Sequence, residues 1–231
     1  MARRTYDQFC GLALALDIVG ERWTLMIVRE LMSGPKRYSD LATALAGIGT
    51  SLLATRIKQL ESDGVLERRY LRPPVASTVY ELTTAGWELA HALTPLALWG
   101  SKHYAVRGRS PEQSFRAEWA LVFLAQLFDP EQLRGVEVSF EFRADGSSAR
   151  LDIRDGRAQV HSGSDERPAD AVVSYDSDTL GAIVGGVLPL MDAIVQQRVR
   201  VEGSPEAAQI LFVLLQSALD RLGLGGAEPT S

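Results

Sequence analysis

The sequence predicts two folds in one chain: a mainly α-helical N-terminal half that carries a two-stranded hairpin, and an α+β C-terminal half. Residues 36 to 82 supply, in order, a short helix, a tight turn, a second helix, a Gly stop and an arginine-bearing hairpin. Beyond Asp129-Pro130 the hydrophobic period changes from helical to strict alternation, as in Val136-Glu137-Val138-Ser139-Phe140-Glu141-Phe142. Charge changes with it. Up to Arg109, 14 Lys and Arg face 10 Asp and Glu, a balance of +4; from Ser110 onward 10 face 19, a balance of −9. A basic half beside an acidic one suggests a module that meets nucleic acid and a module with another task.

The first half begins with two helices, expected over 8 to 18 and 21 to 32, the second with Trp23, Met26, Ile27 and Leu31 on its apolar side. Ser33-Gly34-Pro35 stops it. Tyr38 to Ala46 follows as a short helix with Leu41 and Leu45 at i, i+4, and Gly47-Ile48-Gly49 is the turn. Thr50 or Ser51 is positioned to cap the next helix, which buries Leu53, Ile57 and Leu60 and turns Ser51, Thr55, Arg56, Lys58 and Gln59 outward. Strands at Val65 to Leu71 and Thr78 to Leu82 form the hairpin, with Pro73-Pro74 at its tip because proline cannot donate to a ladder. Helix, turn, helix and hairpin in this order make a winged helix-turn-helix, whose second helix fits a major groove while the hairpin reaches phosphates. A long helix from Ala85 to about Tyr104, capped by Thr83-Thr84 and kinked at Pro95, carries more apolar surface (Trp87, Leu89, Leu93, Leu96, Trp99) than a small domain buries alone. That surplus predicts a homodimer.

Arg107-Gly108-Arg109-Ser110-Pro111 reads as a linker, and a helix over Gln113 to Phe128 opens the second half. Asp145-Gly146 and Asp155-Gly156 are hairpin turns that flank the alternating strand at 150 to 154. Arg157 to His161 and Ala171 to Tyr175 complete an expected four-strand meander. Helices at Ser177 to Gly186 and Leu190 to Gln196, a short strand at Arg198 to Val201 and a helix at Pro205 to Leu222 follow. The domain limits so read are 1–106, a linker at 107–113, 114–222, and a tail at 223–231.

Several chemistries are not suggested. One cysteine, Cys10, permits no intrachain disulfide and fits a reducing compartment. No secretory signal is legible and no run of about 18 apolar residues exists, so the expectation is a cytoplasmic protein without a membrane span. His91, His103 and His161 lie far apart, and no metal site or other cofactor is expected. Gly181-Ala182-Ile183-Val184-Gly185-Gly186 lacks the Lys-Ser/Thr of a phosphate loop. No catalytic constellation stands out, so an enzyme is not expected.

The candidate DNA-contacting residues are Lys36, Arg37, Thr50, Ser51, Thr55, Arg56, Lys58, Arg68, Arg69 and Arg72. The basic ones would neutralise phosphates, and those at the start of the second helix reach base edges. The competing interpretation is a solvated basic face; for Arg56 alone it is an ion pair with Glu61 or Asp63. Cys10 reads as a small buried hydrophobe packing the first helix, with a reactive thiol as the alternative. In the second half Leu180, Ile183, Val184, Leu188, Met191, Ile194, Leu211 and Leu215 are placed to meet Phe140, Phe142 and Leu151. Sequence pattern does not separate a cavity for an apolar small molecule from a filled core.

The first half resembles the HxlR family of bacterial winged helix-turn-helix regulators. The resemblance rests on Cys10, Gly20-Glu21-Arg22-Trp23, Arg37-Tyr38-Ser39-Asp40-Leu41, Arg56-Ile57-Lys58-Gln59-Leu60-Glu61, Asp63-Gly64, Pro74, Tyr80-Glu81-Leu82-Thr83, Gly86 and Trp99-Gly100, over residues 8 to 104. Position 51, commonly basic in such helices, is Ser51. The family implies a dimeric transcriptional regulator of double-stranded DNA, and for some members thiol-redox or electrophile sensing, which would fall on Cys10. The second half resembles the sterol-carrier-protein type of lipid-binding domain over about 114 to 220, through Val136 to Phe142, Asp170-Ala171-Val172-Val173-Ser174, Gly185-Gly186 and Arg198-Val199-Arg200-Val201-Glu202-Gly203. That likeness implies an architecture with an apolar cavity. The function so read is a homodimeric, sequence-specific DNA-binding regulator whose second domain holds an apolar effector or serves only as a dimerisation platform.

Overall fold

The structure is a computed structural model that describes residues 5–73 and 76–224. The chain divides into two units, Met1–Leu93 and Thr94–Ser231. The expected hairpin tip at Pro74 falls outside the described residues.

The first unit contains α1 (Gly11–Val19), α2 (Thr24–Leu31), α3 (Tyr38–Ala44), α4 (Thr50–Ser62), β1 (Leu66–Leu71), β2 (Ser77–Leu82) and the start of α5 (Thr84–Tyr104). Its core is built from Ile27, Val28 and Leu31 of α2, Leu41 of α3, Leu53, Ile57 and Leu60 of α4, and Leu66, Val79 and Leu82 of the hairpin. Of the helical stripes read from the sequence, Ile27, Leu31, Leu41, Leu45, Leu53, Ile57 and Leu60 are buried, whereas Met26 is exposed and Trp23 is only half-buried and lies ahead of α2. Helix α2 starts later than the pattern suggests because Trp23 has φ +78°, a left-handed conformation that ends helical continuity. Gly47, at φ +102°, makes the turn between α3 and α4. Gly49, rather than Thr50 or Ser51, is the N-cap of α4; Thr50 is already helical, and its carbonyl oxygen accepts a hydrogen bond from the Tyr38 hydroxyl (2.7 Å).

One knot of backbone joins α4, the hairpin and α5. Gly64, at φ +70°, stops α4. The Thr83 hydroxyl donates to the Gly64 carbonyl oxygen (2.6 Å) and accepts from the Gly86 N–H (3.1 Å), so it also caps α5. Thr83 N–H donates to the Val65 carbonyl oxygen (3.2 Å). Gly86 lies so close to that oxygen that any Cβ would collide with it.

The second unit contains the rest of α5, a 3-10 turn at Ala105–Arg107, α6 (Ala117–Leu124), a 3-10 turn at Ala125–Leu127, α7 (Pro130–Leu133), β3 (Val138–Ala144), β4 (Ser147–Arg154), β5 (Arg157–Ser162), β6 (Ala171–Tyr175), α8 (Ser177–Val184), α9 (Leu190–Val195), β7 (Arg200–Gly203) and α10 (Pro205–Arg221). Helix α6 is shorter than expected because Arg116 is extended (φ −140°) and its guanidinium pairs with the buried carboxylate of Glu118 (2.6 Å). Helix α7 is an addition, set by Pro130 at its first turn and by the Asp129 carboxylate accepting from Glu131 N–H (3.0 Å).

Both Asp-Gly turns form as two-residue loops with positive φ throughout: 49° and 77° at Asp145-Gly146, 50° and 69° at Asp155-Gly156. This is the type I′ geometry that matches strand twist. The four-strand meander does not form. The sheet order is β5-β4-β3-β6-β7, and β6 runs parallel to β3, pairing Phe140 with Ala171 and Phe142 with Val173. The reason lies in β3: five of its seven residues are buried, as suits a central strand, and it is paired along both edges. Residues between β5 and β6 carry the chain back across the sheet. The apolar face presents Val138, Phe140, Phe142, Leu151, Ile153, Val160 and Val173, and helices α6 and α10 pack on the sheet. A glycine within α8 and the one that caps its C-terminus also have a packing role. A Cβ on Gly181 would meet the Ala105 carbonyl oxygen at 2.9 Å, and one on Gly185 would strike Val106.

Phe140 is fully buried at the centre of this sheet. Phe140→Ala is expected to lower the unfolding free energy by about 3–5 kcal/mol, whereas Met191→Ala, at a half-exposed site, should cost under about 1 kcal/mol. Urea denaturation followed by circular dichroism distinguishes the two.

Candidate nucleic-acid interface

Helix α4 and the hairpin place the predicted contact residues in one unit, with different surroundings. Thr50, Ser51, Thr55 and Lys58 of α4 are exposed, and the Thr55 hydroxyl donates to the Ser51 carbonyl oxygen (2.8 Å). Arg37 is exposed at the N-cap of α3, where its N–H donates to Asp40 (2.9 Å). Arg68, Arg69 and Arg72 are exposed on the hairpin. Arg69 is already engaged: its Nε and second terminal nitrogen donate to the two carboxylate oxygens of Glu81 (2.6 and 2.9 Å), and that bond raises the guanidinium pKa further. Arg68 and Arg72 form no ion pair with any described residue.

Two predicted contact residues are drawn inward. Lys36 is buried, and its backbone extends the hairpin by exchanging hydrogen bonds with Tyr80 (3.0 and 2.8 Å). Arg56 is only 13% exposed. Its guanidinium donates to Glu21 (2.7 Å) and to Gln59 (2.6 Å), so its partner is neither Glu61 nor Asp63. Glu21 lies 35 residues away in the turn between α1 and α2, and no local pattern signals that pairing. The effect is to bind the middle of α4 to the α1–α2 turn while its first turn and Lys58 stay outward.

Cys10 differs from its expected role. It is exposed rather than buried, at the N-cap of α1. The backbone N–H groups of Ala13, then Leu12, in the first turn lower its pKa below the ordinary thiol value. The expectation failed because α1 itself is little buried: only Ala13 of this helix is covered, and Leu12, Leu14 and Leu16 stand outward, so no described residue packs over the one ahead of it. No group of three or more His, Cys, Asp or Glu among the described residues is arranged to hold a metal ion.

The apolar stripe of the second unit is graded in depth. Phe140, Phe142, Leu151, Ile183 and Leu211 are buried; Leu180, Val184, Leu188, Ile194 and Leu215 are half-buried; Met191 is 49% exposed. Arg109, in the expected linker, is held within this unit. Its N–H donates to Asp178 (2.9 Å), its Nε to Ser177 (3.1 Å) and a terminal nitrogen to the Gln113 carbonyl oxygen (2.7 Å). No helix among the described residues is long and apolar enough to cross a membrane.

A helix-turn-helix whose second helix presents hydroxyls and a lysine, flanked by an arginine-bearing wing, defines a DNA-binding transcriptional regulator. The chain belongs to the HxlR-like helix-turn-helix family, whose model matches residues 18–107. The C-terminal part matches the SCP-2 sterol transfer family over residues 125–216. Among similar proteins are two HTH-type transcriptional regulators of Bacillus subtilis. YvaP is 33% identical over 88 residues, 38% of this chain and 82% of YvaP. YodB is 31% identical over 88 residues, 38% of this chain and 79% of YodB. The solved structure of reduced YodB covers 42% of this chain and 96% of its own, at 28% identity and a TM-score of 0.38. YodB has also been solved in a quinone-bound form, at 29% identity, 38% and 93% coverage and a TM-score of 0.34.

The lowered pKa of Cys10 leads to a measurable expectation. Its alkylation by iodoacetamide, followed by mass spectrometry, should rise at lower pH than that of a free cysteine peptide, because the thiolate persists to lower pH. Coincident pH profiles would show that the first turn of α1 does not activate the thiol.

Proposed function

We propose that the protein is a homodimeric cytoplasmic regulator that binds double-stranded DNA sequence-specifically through α4 and the wing, and that its C-terminal unit holds an apolar small-molecule effector. The observation that carries the DNA reading is the outward placement of Ser51, Thr55 and Lys58 on α4 in the same unit as Arg68 and Arg72 of the hairpin. Thr50 and Arg37 complete the contact set, Arg69 contributes after sharing its charge with Glu81, and Arg56 serves to hold α4. Lys36 contributes through its backbone to the base of the wing. The domain limits that go with this reading are 1–106, a linker at 107–113, 114–222 and a tail at 223–231.

Dimerisation is supported by exposed apolar side chains: Leu12 and Leu14 on α1, and Leu96 and Trp99 on α5. The expected mass in solution is twice 25.2 kDa, measured by light scattering. The effector reading is supported by the SCP-2 match and by the apolar stripe that runs from buried Phe140 to half-exposed Met191. An effector acts only if it binds one arrangement of the DNA-binding units better than another. A displaceable fluorescent fatty acid, or lipid in the extract of purified protein, is the expected result; neither would leave the C-terminal unit a dimerisation platform.

A second reading is a thiol switch at Cys10, favoured by its exposure and lowered pKa. Quinone, bound by the relative YodB, is the electrophile to try. Cys10→Ser should then abolish the response of DNA binding to quinone or diamide; an unchanged response removes this reading.

Footprinting on the DNA flanking the protein's own gene tests the main reading. On the protected site, Arg68→Ala should flatten the slope of log K against log salt by ~0.9 and weaken all sequences alike. A change in sequence preference with an unchanged slope contradicts the placement of the wing on phosphates.

A further inference from the structure

A cleft of about 310 Å³ opens between α4 and the wing. Ala54, Ile57, Lys58 and Glu61 line it from α4, Arg68 and Tyr80 from the hairpin, and Tyr38 from the first turn of α3. The α4 residues fall at i, i+3, i+4 and i+7, so they form one stripe of the helix. Arg68 and Tyr80 are cross-strand partners and leave the hairpin on the same face. The Tyr38 side chain and the Tyr80 backbone are held by bonds that owe nothing to a ligand. The Tyr38 hydroxyl donates to the Thr50 carbonyl oxygen, and the Tyr80 backbone is bonded in both directions to Lys36.

The lining specifies a ligand class. Exposed Ala54 and two half-buried tyrosines, over a floor closed by buried Ile57, offer apolar and aromatic surface that a bare anion leaves wet. Lys58 and Arg68 form no ion pair with any described residue, and against Glu61 they leave one net positive charge. One positive charge beside aromatic walls suits a monoanion that carries a ring. The volume lies at the small end of ligand sites, which suits a single ring.

We propose that this cleft binds a single-ring aromatic carboxylate, which then competes with the duplex for Lys58 and Arg68. Binding is independent of the DNA reading; competition rests on it. The test titrates the full chain with benzoate by calorimetry or ¹H–¹⁵N NMR, with acetate to supply the charge alone and benzyl alcohol the ring alone. Benzoate should saturate with Kd on the order of 0.1–1 mM, as expected of a small ligand in an open site. Acetate and benzyl alcohol should each bind at least ~10-fold more weakly, the equivalent of about 1.4 kcal/mol. Arg68→Ala should weaken benzoate ~10-fold, and Ala54→Leu, which fills the floor from an exposed helical position, should abolish binding. Acetate binding equal to benzoate, or benzoate binding untouched by both variants, overturns the site. Saturating benzoate that leaves duplex affinity unchanged overturns the competition alone. Failure to bind any duplex, with benzoate still bound, counts against the DNA reading and leaves the aromatic site standing.

Discussion

The wing is aimed by the backbone knot at Gly64, Val65, Thr83 and Gly86. A single hydroxyl, that of Thr83, spans the stop of α4 and the start of α5. Gly64 is needed for its positive φ and Gly86 because no side chain fits against the Val65 carbonyl oxygen. Everything that faces outward depends on it. If the knot loosened, Arg68 would no longer be held beside Lys58, and the candidate interface would separate into two unrelated basic patches. The Arg56–Glu21 pair supports the same geometry from the other side by tying α4 to the α1–α2 turn. Since Glu21 is largely exposed, that pair contributes little stability; its effect is orientation.

The second unit is organised by β3. Five of its seven residues are buried, and it is paired along both edges, with β4 antiparallel on one and β6 parallel on the other. Helices then cover the apolar face, while the other face keeps the ion pairs Arg143–Glu141 and Arg150–Asp152 and the exposed Arg154. The arrangement buries Phe140, Phe142 and Leu151 and leaves the α9 end of the apolar stripe open at Met191. The acidic balance of this half fits a module that does not itself meet DNA.

Features set by residues close in sequence were legible. Leu41 and Leu45, the Gly47 turn and the stripe of Leu53, Ile57 and Leu60 defined the helix-turn-helix, and the two Asp-Gly pairs defined their hairpins. Features set by distant partners were not. The parallel pairing of β3 with β6 depends on burial that alternation alone does not reveal. The exposed α4 positions pointed toward the candidate site, but Arg56 meets a carboxylate 35 residues away. The cleft beside Lys58 needs the hairpin to fold back over α4, which no stretch of residues states by itself. The exposure of Cys10 follows from how little of α1 is covered, which periodicity within that helix does not reveal.

The glycine seam between α8 and the 105–107 turn has a mechanical meaning. With Ala105 and Val106 seated where no methyl would fit, and Arg109 fastened to Ser177 and Asp178, there is no slack between that helix and the segment that follows Tyr104. Sliding α8 by the width of a carbon atom would require the chain at Ala105 to travel with it. Helix α8 and the 105–107 turn therefore move as one piece or not at all.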